Sequence, residues 1–228
     1  EKWCRRFQSP SAGDCDASAA DFATEINVDG WLKITDIYEY DGKLAVVAEN
    51  VSDTDVEYAL LTVTDMTEVF TFDISALLSG TKVVLLCNET KGYNPDAVYT
   101  GWKTENIVNF EKTPVMNEDK FEVSVANGSI SLKNISGTDI TSDIYIYYKE
   151  KINGVLNGNI THRICISGIK ADSKTFVKAE KLNENNCQII FTDYKKAELL
   201  DVDTLDFGLS VVDTLDEIRG RKTVAAKM

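Results

Sequence analysis

Histidine, proline and long apolar runs are nearly missing from this chain. One histidine, His162, and three prolines occur among 228 residues. A single imidazole leaves little for a histidine-based triad or a multi-histidine metal set. His162 lies between Thr161 and Arg163 in an expected strand, where a surface or hairpin-end position is the plain reading. No stretch approaches the ~18 apolar residues of a membrane-spanning helix, so no transmembrane segment is expected. No G-x-S-x-G, Walker loop, G-x-G-x-x-G or H-E-x-x-H occurs. No catalytic residue and no cofactor can be nominated, and the chain is not expected to be an enzyme.

Positive charge is also short. Twenty-four Lys and Arg face 37 Asp and Glu, a net charge of −13. Such a surface repels phosphate backbones, which argues against nucleic acid. With 43% hydrophobic residues the chain can still build a packed core.

The five cysteines include no C-x-x-C pair. A disulfide reading joins Cys4 to Cys15 around Pro10 and Gly13, and Cys165 to Cys187. Cys87 is then left over as a buried thiol. Five free thiols are the alternative, and the apolar neighbours Ile164 and Ile166 would turn Cys165 outward. Glu1 in place of an initiator Met, with abundant Thr, Ser and Asn, points to an extracellular or envelope protein whose leader is removed.

What the chain does have is a phrase written twice. Asn50-Val51-Ser52-Asp53-Thr54-Asp55-Val56 returns as Asn134-Ile135-Ser136-Gly137-Thr138-Asp139-Ile140. Each copy separates two runs of alternating apolar residues. Asn, Ser, Thr and Asp in such turns bond their own backbone, so turn capping outweighs calcium binding here. The interval, 134 − 50 = 84 residues, suits a duplicated domain and is too long for a solenoid repeat.

Residues 1–27 are expected to form an N-terminal arm with a short helix, carrying Ala19, Phe22, Ala23 and Ile26 at helical spacing. Residues 28–110 form a first module. Asp41-Gly42 is a hairpin turn in it, Leu44, Val46 and Ala48 share a face, and residues 93–102 and 107–110 supply the last strands. Residues 111–120 are charged, contain Pro114 and read as a linker. Residues 121–194 form a second module, with Asn153-Gly154 and Asn157-Gly158 marking a long hairpin connection. Residues 195–228 are a C-terminal extension. Short strands with turn signals every 8–12 residues predict an all-β chain of two tandem antiparallel immunoglobulin-like β-sandwiches.

The runs KNISGTDITSDIYIYYK (133–149) and ICISGIKADSKTFVKA (164–179) resemble secreted β-sandwich modules of the FxLYD type, found in uncharacterised envelope proteins of gut Firmicutes. The resemblance covers most of the second module and, loosely, the first. It implies an accessory or surface domain and brings no catalytic residues.

Exposed aromatics would carry any binding face. Tyr145 and Tyr147 lie opposite the apolar face of their strand and are expected to form an exposed stripe. Tyr93, Tyr99, Trp31 and Trp102 are further candidates, with core packing as the alternative for the tryptophans. Asp201, Asp203 and Asp206, ahead of Gly208, are candidate calcium ligands, although their spacing misses the D-x-D-x-D-G loop. The expected function is adhesion, assembly or binding of a protein or glycan at the cell surface. The alternative is a carbohydrate- or calcium-dependent module of a larger surface system.

Overall fold

The computed structural model describes residues 25–65, 67–90, 93–126, 128–178, 182 and 186–194. The described chain is all β. Its first strands are β1 (Ile26–Val28), β2 (Leu32–Tyr40), β3 (Lys43–Asn50), β4 (Val56–Thr64), β5 (Val69–Leu77), β6 (Lys82–Leu86) and β7 (Thr100–Asn109). There follow β8 (Phe121–Ala126), β9 (Ser129–Asn134), β10 (Ile140–Ile152), β11 (Val155–Asn157), β12 (His162–Ile169), β13 (Lys174–Lys178) and β14 (Cys187–Tyr194).

The pairing order repeats. In the first set β2-β3-β6 form one sheet, with β1 on its edge, and β5-β4-β7 form another. In the second set β8-β9-β13 correspond to the former and β12-β10-β14 to the latter. Each set has its own core. Leu32, Ile34, Leu44, Val46, Leu61, Phe70, Phe72 and Leu85 are buried together in the first. Phe121, Ile130, Leu132, Ile144, Ile146 and Ile166 are buried together in the second.

The repeated phrase builds the same hydrogen-bond network twice. Asn50 Nδ2 donates to the carbonyls of Thr54 (2.8 Å) and Leu77 (3.1 Å). Its Oδ1 accepts from the Ser52 amide and hydroxyl. Asn134 Nδ2 donates to Thr138 O (2.7 Å) and Ile169 O (3.2 Å), and its Oδ1 accepts from Ser136 N and Oγ. The closing aspartates act alike, Asp55 accepting from the Ser79 amide and Asp139 from the Ala171 amide. Both asparagines are fully buried. Each ties its own turn to the end of a later strand, β5 in the first set and β12 in the second, which explains why a buried polar residue is used here.

The two sets are joined by the loop after β10. Asn153 (φ 51°) and Gly154 (φ 84°) make a tight hairpin turn of the left-handed kind. The chain then enters β11, which pairs antiparallel with β10 and parallel with β6 of the first set. Gly158 N donates to Val84 O (2.7 Å), and Ser75 N donates to Gly158 O (2.9 Å). Asn159 Nδ2 donates to Asp73 O and Leu86 O, and its Oδ1 accepts from Leu86 N at 2.7 Å. Residues 156–159 therefore fill the open edge between β5 and β6. Leu156 joins the first core. Ile152 and Val155 cover Ala45, Val47 and Val84 on the outer face of the first sheet. That cover explains why β3 is apolar on both faces.

Two expectations on strands change. Residues 93–99 are not strand, and β7 starts only at Thr100. Pro95 has no amide to give, and Asn94 Oδ1 closes a turn on the Asp96 amide. Ile26, placed on a helix by its spacing, pairs with Ile34 in β1 instead. The rest of the helical arm, residues 1–24, lies outside the described residues. The segment between β7 and β8 carries no strand, as a linker would, yet it is pinned to β14: Val115 bridges Thr192, and Asn117 Nδ2 donates to Thr192 O at 2.9 Å.

Candidate functional site

A bulge in β2 borders a surface cleft. Ile34 pairs with Ala48 and Asp36 with Val47, so Thr35 is the extra residue. The bulge turns Thr35 and Asp36 towards the loop 95–99. Between them lies a cleft of about 340 Å³, walled by Ile26, Ile34, Ile37, Pro95, Val98 and Tyr99. Asp36 and Asp96 supply its carboxylates. Burial raises the Asp36 carboxyl above its ordinary value, and the Ile37 amide bond to Oδ1 opposes this only in part.

The loop is held by aromatic contacts. Tyr93 and Tyr99 stack with centroids 6.2 Å apart. Tyr99 also meets Phe70 edge-on at 5.9 Å, while its hydroxyl accepts from the Asn94 amide and donates to the Asn94 carbonyl. Trp102 Nε1 donates to Tyr99 O at 3.2 Å. Burial, then the charges of Asp36 and Asp96, raises the Tyr93 hydroxyl. The structure thus brings Tyr93, Tyr99 and Trp102 together behind one wall of the cleft. Trp31 sits apart from that wall, half-buried on the first core, with Nε1 donating to Thr104 Oγ1 at 3.0 Å.

Tyr145 and Tyr147 are in the second set and form no exposed stripe. Tyr147 is 3% exposed and stacks on Phe191 at 4.2 Å. Phe110, just past β7, meets Phe191 edge-on at 5.5 Å. Tyr145 is half-buried under the Arg163 guanidinium, 4.9 Å from its ring centre. Period-two alternation separates two faces of β10 correctly, but it cannot say that other parts of the chain cover the second.

The Cys165–Cys187 disulfide is also corrected. Both thiols are unpaired, Cys165 exposed and Cys187 buried. Cys165 lies opposite Tyr145 on one side of β10, and Cys187 opposite Glu150 on the other. Five residue steps along the strand separate those positions by roughly 16 Å, whereas a disulfide needs Cα atoms within about 7 Å. The outward direction inferred for Cys165 from its isoleucine neighbours is the one found. Cys87 is buried, with Sγ donating to Glu89 O at 3.3 Å. Cys4, Cys15, Asp201, Asp203 and Asp206 lie outside the described residues.

His162 stacks on Tyr148 at 5.0 Å, with Nε2 3.9 Å from Glu150 Oε1. Among the described residues no three His, Cys, Asp or Glu side chains are grouped as a metal ion would need. No helix in the described residues is long and apolar enough to cross a membrane.

Two residues with no sequence signal prove central. Asn159 completes the seam described above. Lys149, on the same face of β10 as Tyr147, is 1% exposed and donates to Ser75 O, Asn157 O and Ile160 O. An Asn-Gly-Asn run and a Lys among tyrosines look like ordinary turn and surface chemistry. Comparison with known proteins found no matching family model, no matching curated protein and no matching solved structure.

Proposed function

We propose that the chain is an exported, non-enzymatic surface or envelope protein of two tandem immunoglobulin-like sandwiches, related to the FxLYD type, that acts by binding through the cleft of its first set. The observation that carries this reading is the cleft itself. Apolar walls with a few convergent polar groups are the ordinary anatomy of a small-ligand site. Here they stand on a bulged strand and a loop packed onto the core. A cleft of about 340 Å³ suits a small molecule or a single side chain or sugar unit of a partner.

A glycan array and an NMR screen of small ligands against the intact chain test this. Shifts clustered at Thr35, Asp36 and Val98, and reduced in Tyr99→Ala, are the expected result. Ligands that bind without touching these residues would refute the site. The carbohydrate reading draws on Tyr99, which lines the cleft beside Asp36 and Asp96, an apolar ring next to two carboxylates that can accept from sugar hydroxyls. With Cys165 and Cys187 unpaired, the disulfide support for export rests on Cys4–Cys15, which non-reducing peptide mapping reads directly.

A further inference from the structure

The two strand sets share one pairing order, but the loop after β10 fills an edge slot in the first set only. Strand registers fix the correspondence. Leu32 pairs with Asn50 as Phe121 does with Asn134, and Ala48 pairs with Val83 as Leu132 does with Thr175. Val84 and Leu86 on β6 therefore match Phe176 and Lys178 on β13. Asn50 bonds Leu77 O and Asn134 bonds Ile169 O, so Asp73 and Ser75 on β5 match Cys165 and Ser167 on β12. In the first set Gly158 bonds the Val84 carbonyl and the Ser75 amide, and the Asn159 side chain bonds Leu86 and the Asp73 carbonyl. In the second set β12 and β13 each end their sheet, and among the described residues no backbone–backbone hydrogen bond reaches their outer edges.

Exposure follows this difference. Val84 is 1% exposed and Phe176 66%, while Ser75 is buried and Ser167 exposed. The core residues beside the slot change too: Ile74 and Leu77 are fully buried, whereas their counterparts Ile166 and Ile169 keep 7% and 8%. Charge sets the second slot apart in a chain of net charge −13. Lys174 and Lys178 are exposed on β13, Lys170 is exposed in the turn before it, and Arg163 lies on β12. Lys174 Nζ lies 5.2 Å from the centre of the Phe176 ring. The acids nearby are Asp143, opposite Ser167, and Asp172 in the turn. Asp139 is bonded to the Ala171 amide, and Glu122 is paired with Lys133.

We propose that the slot between β12 and β13 receives an extended acidic segment of a partner protein, added parallel to β13 as β11 is added to β6. An open strand edge is a template for a further strand, and main-chain bonds supply the affinity. The first set shows what must enter: a run like residues 155–159, with an amide for the Phe176 carbonyl and a carbonyl for the Ser167 amide. Lysines on an edge repel a second basic edge and attract an acidic strand. Ser129 and Ser131 stand where Ala45 and Val47 stand in the first set, so the partner needs apolar contact at Phe176 alone on the outer face.

The test uses the full chain and two synthetic peptides. Both carry the sequence of residues 153–161, one flanked by pairs of glutamates and the other by pairs of lysines. NMR-detected amide exchange is the readout. The acidic peptide should slow exchange at Ser167, Phe176 and Lys178 and bind about tenfold more tightly than the basic one. No slowing there, equal affinities, or slowing confined to Ser75 and Val84, where the chain's own loop sits, would overturn the proposal. Phe176→Pro removes an amide that faces away from β9, so the existing pairing stays. It should weaken the acidic peptide about tenfold, and unaltered affinity refutes the slot. If that variant fails to fold, Lys174→Glu with Lys178→Glu decides: preference should switch to the basic peptide, and an unswitched preference refutes the reading. A dimer of the chain alone that Phe176→Pro abolishes would assign the edge to a second copy, against the proposal.

Discussion

Replacing Asn134 with alanine should destabilise the protein by about 3–4 kcal/mol, and replacing Asn50 should cost the same within about 1 kcal/mol. Each side chain makes four hydrogen bonds: two donated to main-chain carbonyls, two accepted from a serine amide and hydroxyl. A buried bond contributes about 1 kcal/mol net, and a carbonyl left unsatisfied costs more. Leu77 O and Ile169 O are buried at these bonds, so water does not readily replace the lost donor. Asn→Asp is the sharper probe. It keeps the shape and the acceptors but turns both donors into a buried anion facing two carbonyls. It should therefore cost more than alanine at pH 7 and regain part of that loss in mild acid, when the carboxyl is neutral. Ser52→Ala and Ser136→Ala, which remove only the hydroxyl contacts, should cost about 1 kcal/mol each. Urea unfolding followed by far-ultraviolet circular dichroism measures all six variants. Loss of under 1 kcal/mol in both alanine variants would refute the reasoning, because the repeated phrase would then be a surface turn and not a buried brace.

Other outcomes follow from the seam and from burial. Gly158→Ala places a Cβ 2.5 Å from Leu85 Cδ2 and 2.6 Å from Val83 Cγ2, so the loop must lift and stability should fall by about 1–3 kcal/mol. Amide exchange at Gly158 and Ser75 should speed up in that variant, and unaltered exchange would show that the loop tolerates the contact. Burial, with the charge of Glu111 beside it, raises the Glu57 carboxyl to about 7. A raised folded-state value favours the folded protein below about pH 4.5, and that contribution, at most about 3 kcal/mol, is lost as pH rises through 7. Glu57→Gln should flatten this acid limb of a stability–pH profile. An acid limb of unchanged slope would place the titration elsewhere.

Much of the first and second sets was legible in the residues themselves. Alternation at Leu44, Val46 and Ala48, and at Ile144, Ile146 and Tyr148, marks the core-facing side of β3 and β10 because side chains alternate along a strand. Asn50 and Asn134 announced a shared turn because its bonds run mostly within a few residues. The cleft was half legible. Tyr93, Tyr99 and Trp102 stood out as aromatics, whereas Asp36 and Thr35 carried no signal, since a bulge depends on how the partner strand registers. Tyr147 and Cys165 show the limit from the other side. Pattern assigned each to the right face of its strand, but the covering of Tyr147 by Phe191 and the distance from Cys165 to Cys187 are relations between distant segments.

The sequence by itself determined most of the strands, their turns and the recurrence of one phrase in two successive sets, because these rest on local alternation and on side chains that cap their own backbone. Only the tertiary structure decided that the loop after β10 enters the first set, that Asn159 and Lys149 serve the seam, and that the aromatic face of β10 is covered. The physical reason is the range of the interactions. A turn is closed by residues two to four apart, whereas the seam is closed by hydrogen bonds between residues more than 70 apart, and no local pattern encodes such a partner.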